Sequence, residues 1–322
     1  MSAVVLVTGG NGVIGSWVCH ELARRGATTV VLDRAPRPAV SFPDAPPPTA
    51  IEGDLRDSDL LRETMAAHGV DRVLHLGGIV GEPAERDPTL AIEVNAVATA
   101  RLLDLAAAAG VARVVAMSTK GVLGPLPARF LHPIYEPVPV DHPPSPRSIY
   151  ETSKLVVERL VVRAREAGRS VAAVRLATTW GPGKSSLTHA GYSLHSDVVA
   201  AAAEGRSSRL DVHPDQGYDL VYYADVAAGL AAAMLSPAAL RSPVYHLGSG
   251  RIVTMGAFAA AVEAAFPGVR VELGERFSSG RSCRLDIEPA AADFEYRPAW
   301  GLARALADVR RRSQEVASPP VS

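Results

Sequence analysis

The run Ala3-Val4-Val5-Leu6-Val7-Thr8 passes directly into Gly9-Gly10-Asn11-Gly12-Val13-Ile14-Gly15, and that junction restricts the fold more than any other feature of the chain. A continuous apolar run without polar alternation reads as a strand buried on both faces, which requires helices above and below it. The glycines then permit a sharp turn into a helix and a close approach of the backbone to whatever lies at that turn. The order repeats. Val13–Gly26 reads as a helix and Thr28–Leu32 as a strand; Leu55–His68, Arg72–Leu76, Pro88–Ala109, Arg113–Met117, Ile149–Glu166 and Ser170–Leu176 continue the alternation. Repeats of this length predict an α/β fold with a parallel sheet covered on both faces.

After Arg175 the pattern loosens. Val212–Tyr223 and Val244–Leu247 read as strands, Asp225–Leu235 and Met255–Phe266 as helices, with dense Pro/Gly punctuation between them. The expected organisation is a doubly wound, Rossmann-type domain over residues 1–176, completed by about 220–247. A smaller C-terminal α/β substrate lobe would take 177–219 and 248–314, leaving 315–322 as a polar tail. Pro36–Pro48 reads as a proline-rich surface loop.

The glycine cluster has dinucleotide-binding spacing, through Gly10, Gly12 and Gly15 or through Gly9, Gly12 and Gly15. It follows a strand and opens a helix, so free N–H groups and the helix dipole would face a pyrophosphate there, beside Val13 and Ile14. Asp33 ends the second strand about 20 residues on, where a carboxylate accepts the adenosine ribose hydroxyls. A 2′-phosphate would be repelled by that carboxylate, so NAD is expected rather than NADP, although the neighbouring Arg34 is of the type that accommodates such a phosphate. Asp54-Leu55 follows the third strand; Asp54 suits either an adenine amino group or the cap of the helix that follows.

Tyr150 and Lys154 are four apart at the start of a helix and share a face. A phenol is a poor base at neutral pH, and a nearby ammonium stabilises its phenolate. Ser118-Thr119 follows the fifth strand, at the carboxyl edge of the sheet where open α/β folds bind ligands.

With these features the chain resembles the extended short-chain dehydrogenase/reductase family, of the NAD-dependent epimerase/dehydratase type. The resemblance is carried by the glycine cluster, Asp33, Gly53-Asp54-Leu55, His75-Leu76-Gly77-Gly78, Asn95, Ser118-Thr119, Tyr150-x-x-x-Lys154 and Trp180-Gly181-Pro182, with Leu220–Ala227 and Tyr245–Gly250 later. It implies Tyr150 as acid/base, Lys154 as the group that lowers its pKa and binds ribose, Thr119 as a hydrogen-bond partner of the reacting oxygen, and Asn95 beside the nicotinamide ribose. It further implies that Leu76, Gly77 and Gly78 border the cofactor.

Departures from the family pattern narrow the chemistry. Dehydratases carry an Asp-Glu pair after the Ser/Thr; Lys120-Gly121 stands there instead. Nucleotide-sugar members place an Arg before the Asp of the late strand and an Asn in the strand-six loop, where this chain has Tyr218 and Thr178. Tyrosine supplies no positive charge for a diphosphate. Candidate substrate residues are therefore Ser118, Lys120, Thr178, Trp180, Tyr192, Tyr218 and Arg276, with His189 and His195 in the same wall.

Lys plus Arg number 33 against 34 Asp plus Glu, which gives no support for a nucleic-acid partner. No apolar run reaches a membrane span, and the start lacks the marks of a signal peptide, so a cytoplasmic location is expected. Two cysteines make no disulfide framework, and the scattered histidines have no metal-ligand spacing, so no metal is expected. The helices Pro88–Ala109 and Ile149–Glu166 carry apolar positions beyond one stripe, at Leu102, Leu103, Leu105, Val156, Val157, Leu160 and Val161. In the family such helices pair with their mates, so the resemblance implies a homodimer through a four-helix bundle.

The expected function is an NAD-dependent oxidoreductase acting on a secondary alcohol of a sugar, polyol or similar small substrate. A nucleotide-sugar 4-epimerase with tightly bound NAD is the alternative enzyme, and an NAD-sensing regulator the non-enzyme alternative. Sensors of that kind lose the Tyr or the Lys, and both are present here.

Overall fold

Strand β1 (Val4–Thr8) sends alternate side chains to opposite faces of a sheet: Val5 and Val7 join one apolar core and Leu6 the other. The computed structural model, which describes residues 2–183, 194–277 and 282–317, repeats this division strand by strand. In β2 (Thr28–Asp33) Val31 faces the first core while Val30 and Leu32 face the second. With β3 (Thr49–Glu52), β4 (Arg72–His75), β5 (Arg113–Met117) and, further on, β7 (Val171–Leu176) and β11 (Val244–Leu247), a seven-stranded sheet forms in the order β11-β7-β5-β4-β1-β2-β3. Every pairing in it is parallel.

Helices cover both faces because each brings an apolar stripe. Val18 and Leu22 of α1 (Val13–Arg24) pack on the first face together with Val226 and Leu230 of α8 (Tyr223–Leu235). The second face takes Leu61 and Met65 of α2 (Ser58–Ala67), Leu102 and Leu103 of α5 (Ala98–Ala108), and Val157 and Val161 of α6 (Ile149–Glu166). Strand order reverses between β1 and β4, which opens a crevice at their carboxyl ends.

The expected helix over Pro88–Ala109 is not continuous. Short α3 (Glu82–Arg86) and α4 (Pro88–Ile92) lead into a π-helical turn at Glu93–Val97 before α5 begins. That turn carries Asn95, wholly buried. The expected strand Val212–Tyr223 is shorter, β10 (Gly217–Tyr222), and lies outside the main sheet. It pairs with β8 (Thr178–Trp180) and β12 (Ile252–Thr254). Among the described residues two further pairs form: β6 (Pro137–Val138) with β14 (Arg284–Leu285), and β9 (Ser208–Leu210) with β13 (Val271–Leu273). The remaining helices are α7 (Leu194–Ala203), α9 (Met255–Ala265), α10 (Glu288–Phe294) and α11 (Leu302–Ala317). Among the described residues no helix is long and apolar enough to cross a membrane.

Candidate active site

A cavity of about 750 Å³ opens along the carboxyl edge of the sheet, from Asp33 at one end to Cys283 at the other. One wall is the glycine turn. Gly9 has φ +71, and a Cβ there would lie 2.7 Å from Gly77 Cα, so the loop after β4 can approach only a glycine. A Cβ on Gly15 would lie 2.4 Å from the Gly9 carbonyl oxygen. Helix α1 starts at Gly12 without any side-chain cap, and its first N–H groups face the cavity edge that Gly12, Val13, Ile14 and Gly15 line.

The Asp33 carboxylate accepts the Asn11 amide at 2.9 Å through one oxygen and the Ala35 amide at 2.9 Å through the other. Each oxygen keeps a lone pair for a ribose hydroxyl. Exposed Arg34 lines the cavity beside it. NAD is accordingly expected to bind at least tenfold more tightly than NADP, a difference of about 1.4 kcal/mol. Asp33→Ala should narrow that gap, since it removes both the ribose acceptor and the repulsion. Fluorescence titration of both cofactors checks this, and equal affinities in the wild type would contradict it.

Asp54 and Leu55 also line the cavity. The cap of α2 is Asp57, which accepts the Asp59 and Leu60 amides, and not Asp54. Asp54 instead accepts the Arg56 guanidinium at 2.9 and 3.0 Å, and that hydrogen bond holds its carboxyl below the usual range.

Further along the cavity, Tyr150 and Lys154 of α6 both line its wall one turn apart. The helix start is anchored twice. Ser148 and Glu151 form a reciprocal capping box, and Glu85 accepts the Ile149 and Tyr150 amides at 3.3 and 3.2 Å. Lys154 is 3% exposed, and burial pulls its ammonium down to about 8. Beneath it lies His75. Thr99 donates its hydroxyl to the Asn95 carbonyl, so His75 Nε2 is the donor to Thr99 Oγ1 at 2.8 Å and Nδ1 accepts from Thr8 at 2.7 Å. Burial, aided by the Lys154 charge, lowers His75 to about 3 and keeps it neutral. Thr119 Oγ1 accepts the Gly121 amide at 3.1 Å, an arrangement that directs its own proton to a donor role.

Several expected site residues sit elsewhere. Asn95 is not in the cavity wall. Its amide donates to the Ile79 carbonyl and to Ser153 Oγ and accepts from Ile79 N–H, tying the Leu76–Gly81 loop to α6. Ser118 lines the cavity, and its hydroxyl donates to Glu158 Oε1 at 2.6 Å, within a buried ion pair to Arg175. Trp180 is 2% exposed between Tyr222 and Phe258 and belongs to the core. Tyr192 and His189 lie outside the described residues. Leu76, Gly77 and Gly78 border the cavity, as do Lys120, Thr178, Tyr218 and exposed Arg276. Lys120 Nζ donates to Thr178 Oγ1 at 2.7 Å, and Tyr218 meets His195 edge-on with ring centroids 4.8 Å apart.

Among the cavity residues not singled out in the sequence are Glu151, Ser282 and Cys283. The Ser148-x-x-Glu151 spacing is a capping-box signal and would have located the first. Burial raises the Cys283 thiol, and its position depends on the β14–β6 pairing, which has no local signal.

A sequence profile of the NAD dependent epimerase/dehydratase family matches residues 5–248. The chain belongs to that enzyme family. Among curated relatives, the 2-alkyl-3-oxoalkanoate reductase of Stenotrophomonas maltophilia is 28% identical over 259 residues, covering 78% of this chain and 72% of its own. A UDP-glucose 4-epimerase of Neisseria meningitidis is 30% identical over 284 residues, covering 81% and 82%. Several other curated relatives align over about half of their own length. The structure of the Thermus thermophilus UDP-glucose 4-epimerase in complex with NAD superposes with a TM-score of 0.77 at 25% identity, covering 97% of this chain and 99% of that one. The family is NAD-dependent, and the glycine turn, the uncapped α1 start and Asp33 fit that cofactor.

Proposed function

We infer that the protein oxidises, or in reverse reduces, a secondary alcohol of a small hydroxylated substrate, with Tyr150 as proton carrier. The observation that carries this reading is the convergence of Thr119, Tyr150 and Lys154 on the nicotinamide end of one cavity. NAD, when bound, supplies the acceptor for a hydride from the carbinol carbon. Tyr150, as phenolate, takes the hydroxyl proton; Thr119 donates to the same oxygen and orients it; Lys154 stabilises the phenolate and holds the ribose.

The relatives support two substrate classes, a ketone of an oxoalkanoate and a nucleotide sugar. Tyr218 and Thr178, in place of the Arg and Asn expected for a diphosphate sugar, favour the first kind of small substrate. Epimerisation remains the second reading, because the Neisseria meningitidis epimerase aligns with most of the chain. Incubating the protein and NAD with a panel of hydroxy acids, polyols and UDP-sugars decides between them. NADH release from a small alcohol supports oxidation. Interconversion of a UDP-sugar without NADH release would overturn it.

The assembly that goes with this reading is a homodimer through α5 and α6. Leu102, Leu103, Val157 and Val161 are covered within the chain, and half-buried Leu105 and Leu160 pack against the same core, while Val97, just before α5, and Val156 of α6 are each 39% exposed. Light scattering at micromolar concentration is expected to give twice the mass of the 33.8 kDa chain, and a monomer would contradict it.

A further inference from the structure

We propose that Thr8, His75, Thr99 and Ser153 are positioning residues: with Asn95 they form one buried hydrogen-bonded network that sets the glycine turn against the turn of α6 carrying Tyr150. The effect on NAD follows from the cofactor site alone, and the consequence for Tyr150 rests on the hydride-transfer reading above. None of these residues lines the cavity, and each is at most 1% exposed.

The network starts where β1 ends. Thr8 donates its hydroxyl to His75 Nδ1 at 2.7 Å, His75 Nε2 donates to Thr99 Oγ1 at 2.8 Å, and Thr99 donates to the Asn95 carbonyl at 2.7 Å. The Asn95 side chain continues it. Its amide donates to Ser153 Oγ at 3.0 Å, and Ser153 donates to the Tyr150 carbonyl at 2.7 Å.

The protons admit one order. A carbonyl only accepts, so Ser153 gives its proton to Tyr150 and receives one from Asn95. The Asn95 amide is oriented by Ile79, whose N–H and carbonyl it engages together at 2.8 Å each. At the other end the Asn95 carbonyl claims the Thr99 proton, which makes His75 the Nε2–H tautomer and leaves Nδ1 to accept from Thr8. No member can turn without leaving a neighbour unpaired in the core, and that costs more than the bond itself contributes.

What the network joins gives it a function. Thr8 directly precedes Gly9 of the glycine turn, and His75 directly precedes Leu76, Gly77 and Gly78 of the cavity wall. The turn and that loop already meet, since the Leu76 N–H donates to the Thr8 carbonyl at 3.0 Å. Asn95 clamps Ile79 of the same loop and carries the contact to α6, 58 residues further along. The glycine turn and the helix bearing Tyr150 and Lys154 are thereby held at one separation.

The test uses the full-length protein and NAD itself. Thr8→Val, which keeps the side-chain shape, Ser153→Ala and the double variant cut the network at its two ends, and calorimetric titration well below the unfolding temperature reads NAD affinity. Each single change is expected to weaken NAD about five- to tenfold, the scale of one lost hydrogen bond. The double variant should lie within about threefold of the weaker single, because either cut disables the same network. Thr8→Ser, which keeps the hydroxyl, should restore most of the affinity. Unchanged NAD affinity in both single variants would make the network a support of the fold only and overturn the proposal. Losses that multiply, to about 25-fold or more in the double variant, would overturn it as well, since the two ends would then act separately. Where a variant does not fold, the wild type decides: nitrogen NMR shifts of the His75 ring are expected to show the neutral Nε2–H tautomer, and protonation at Nδ1 would break the proton order and overturn the network. None of these readings requires turnover, so coupled ends in a protein that oxidises no alcohol uphold the positioning and count against Tyr150 as proton carrier.

Discussion

Tyr150→Phe is expected to lower turnover by about 10²-fold or more while leaving NAD affinity within about threefold of the wild type, the usual scale for removing a general acid/base. The structure explains why the two effects should separate. The backbone of residue 150 is fixed by Glu85 at its amide and by the Ser148–Glu151 capping box, and neither contact involves the phenol. The ring stays in the wall and only the hydroxyl is lost. Single-turnover rates with the chemical step isolated, together with a separate NAD titration, check this. Near wild-type chemistry in the variant would remove Tyr150 from the reaction.

Lys154→Met is expected to act in two opposite directions. Turnover and NAD affinity should both fall, because one ammonium serves the phenol and the ribose. Stability of the cofactor-free protein should rise. Burial lowers Lys154 from 10.5 to about 8, and at about 1.4 kcal/mol per unit the charged side chain costs the fold on the order of 3 kcal/mol. Below about pH 8 the lysine is protonated both folded and unfolded, so that cost is carried in full. Between about 8 and 10.5 the folded protein has released a proton that the unfolded chain still holds, so wild-type stability rises with pH there. The Met variant should therefore be the more stable form at neutral pH, with its advantage shrinking toward pH 10. Chemical denaturation at several pH values measures it, and a variant less stable than wild type across the range would contradict the burial argument.

The parts of this molecule that were legible in the sequence are those whose structure is local. The glycine turn, the apolar strands and the Tyr150–Lys154 spacing each depend on backbone geometry over a few residues. Both faces of the sheet could be inferred from β1 alone, since Val5, Leu6 and Val7 are all apolar. Other features depend on partners far along the chain. The partner of the Ser118 hydroxyl, Glu158, is 40 residues away and cannot be paired with it by pattern. Trp180 looked like a wall residue because its burial needs Tyr222 and Phe258. Asn95 sits on a helical stretch whose π turn has no sequence signature, and its clamp on the loop at Ile79 could not be foreseen from spacing. Lys120 was visible as a departure from the dehydratase pattern, but its bond to Thr178 required the β8–β10 sheet.

The proposed reaction is net transfer of a hydride from a secondary alcohol to NAD at the Thr119–Tyr150–Lys154 centre. The most direct measurement follows deuterium placed on the carbinol carbon of a substrate that the protein turns over, by mass spectrometry of both products. The label is expected in released NADH, with a ketone product that has lost it. Deuterium retained on a stereochemically inverted product, with no label in free NADH, would contradict the account and establish epimerisation instead.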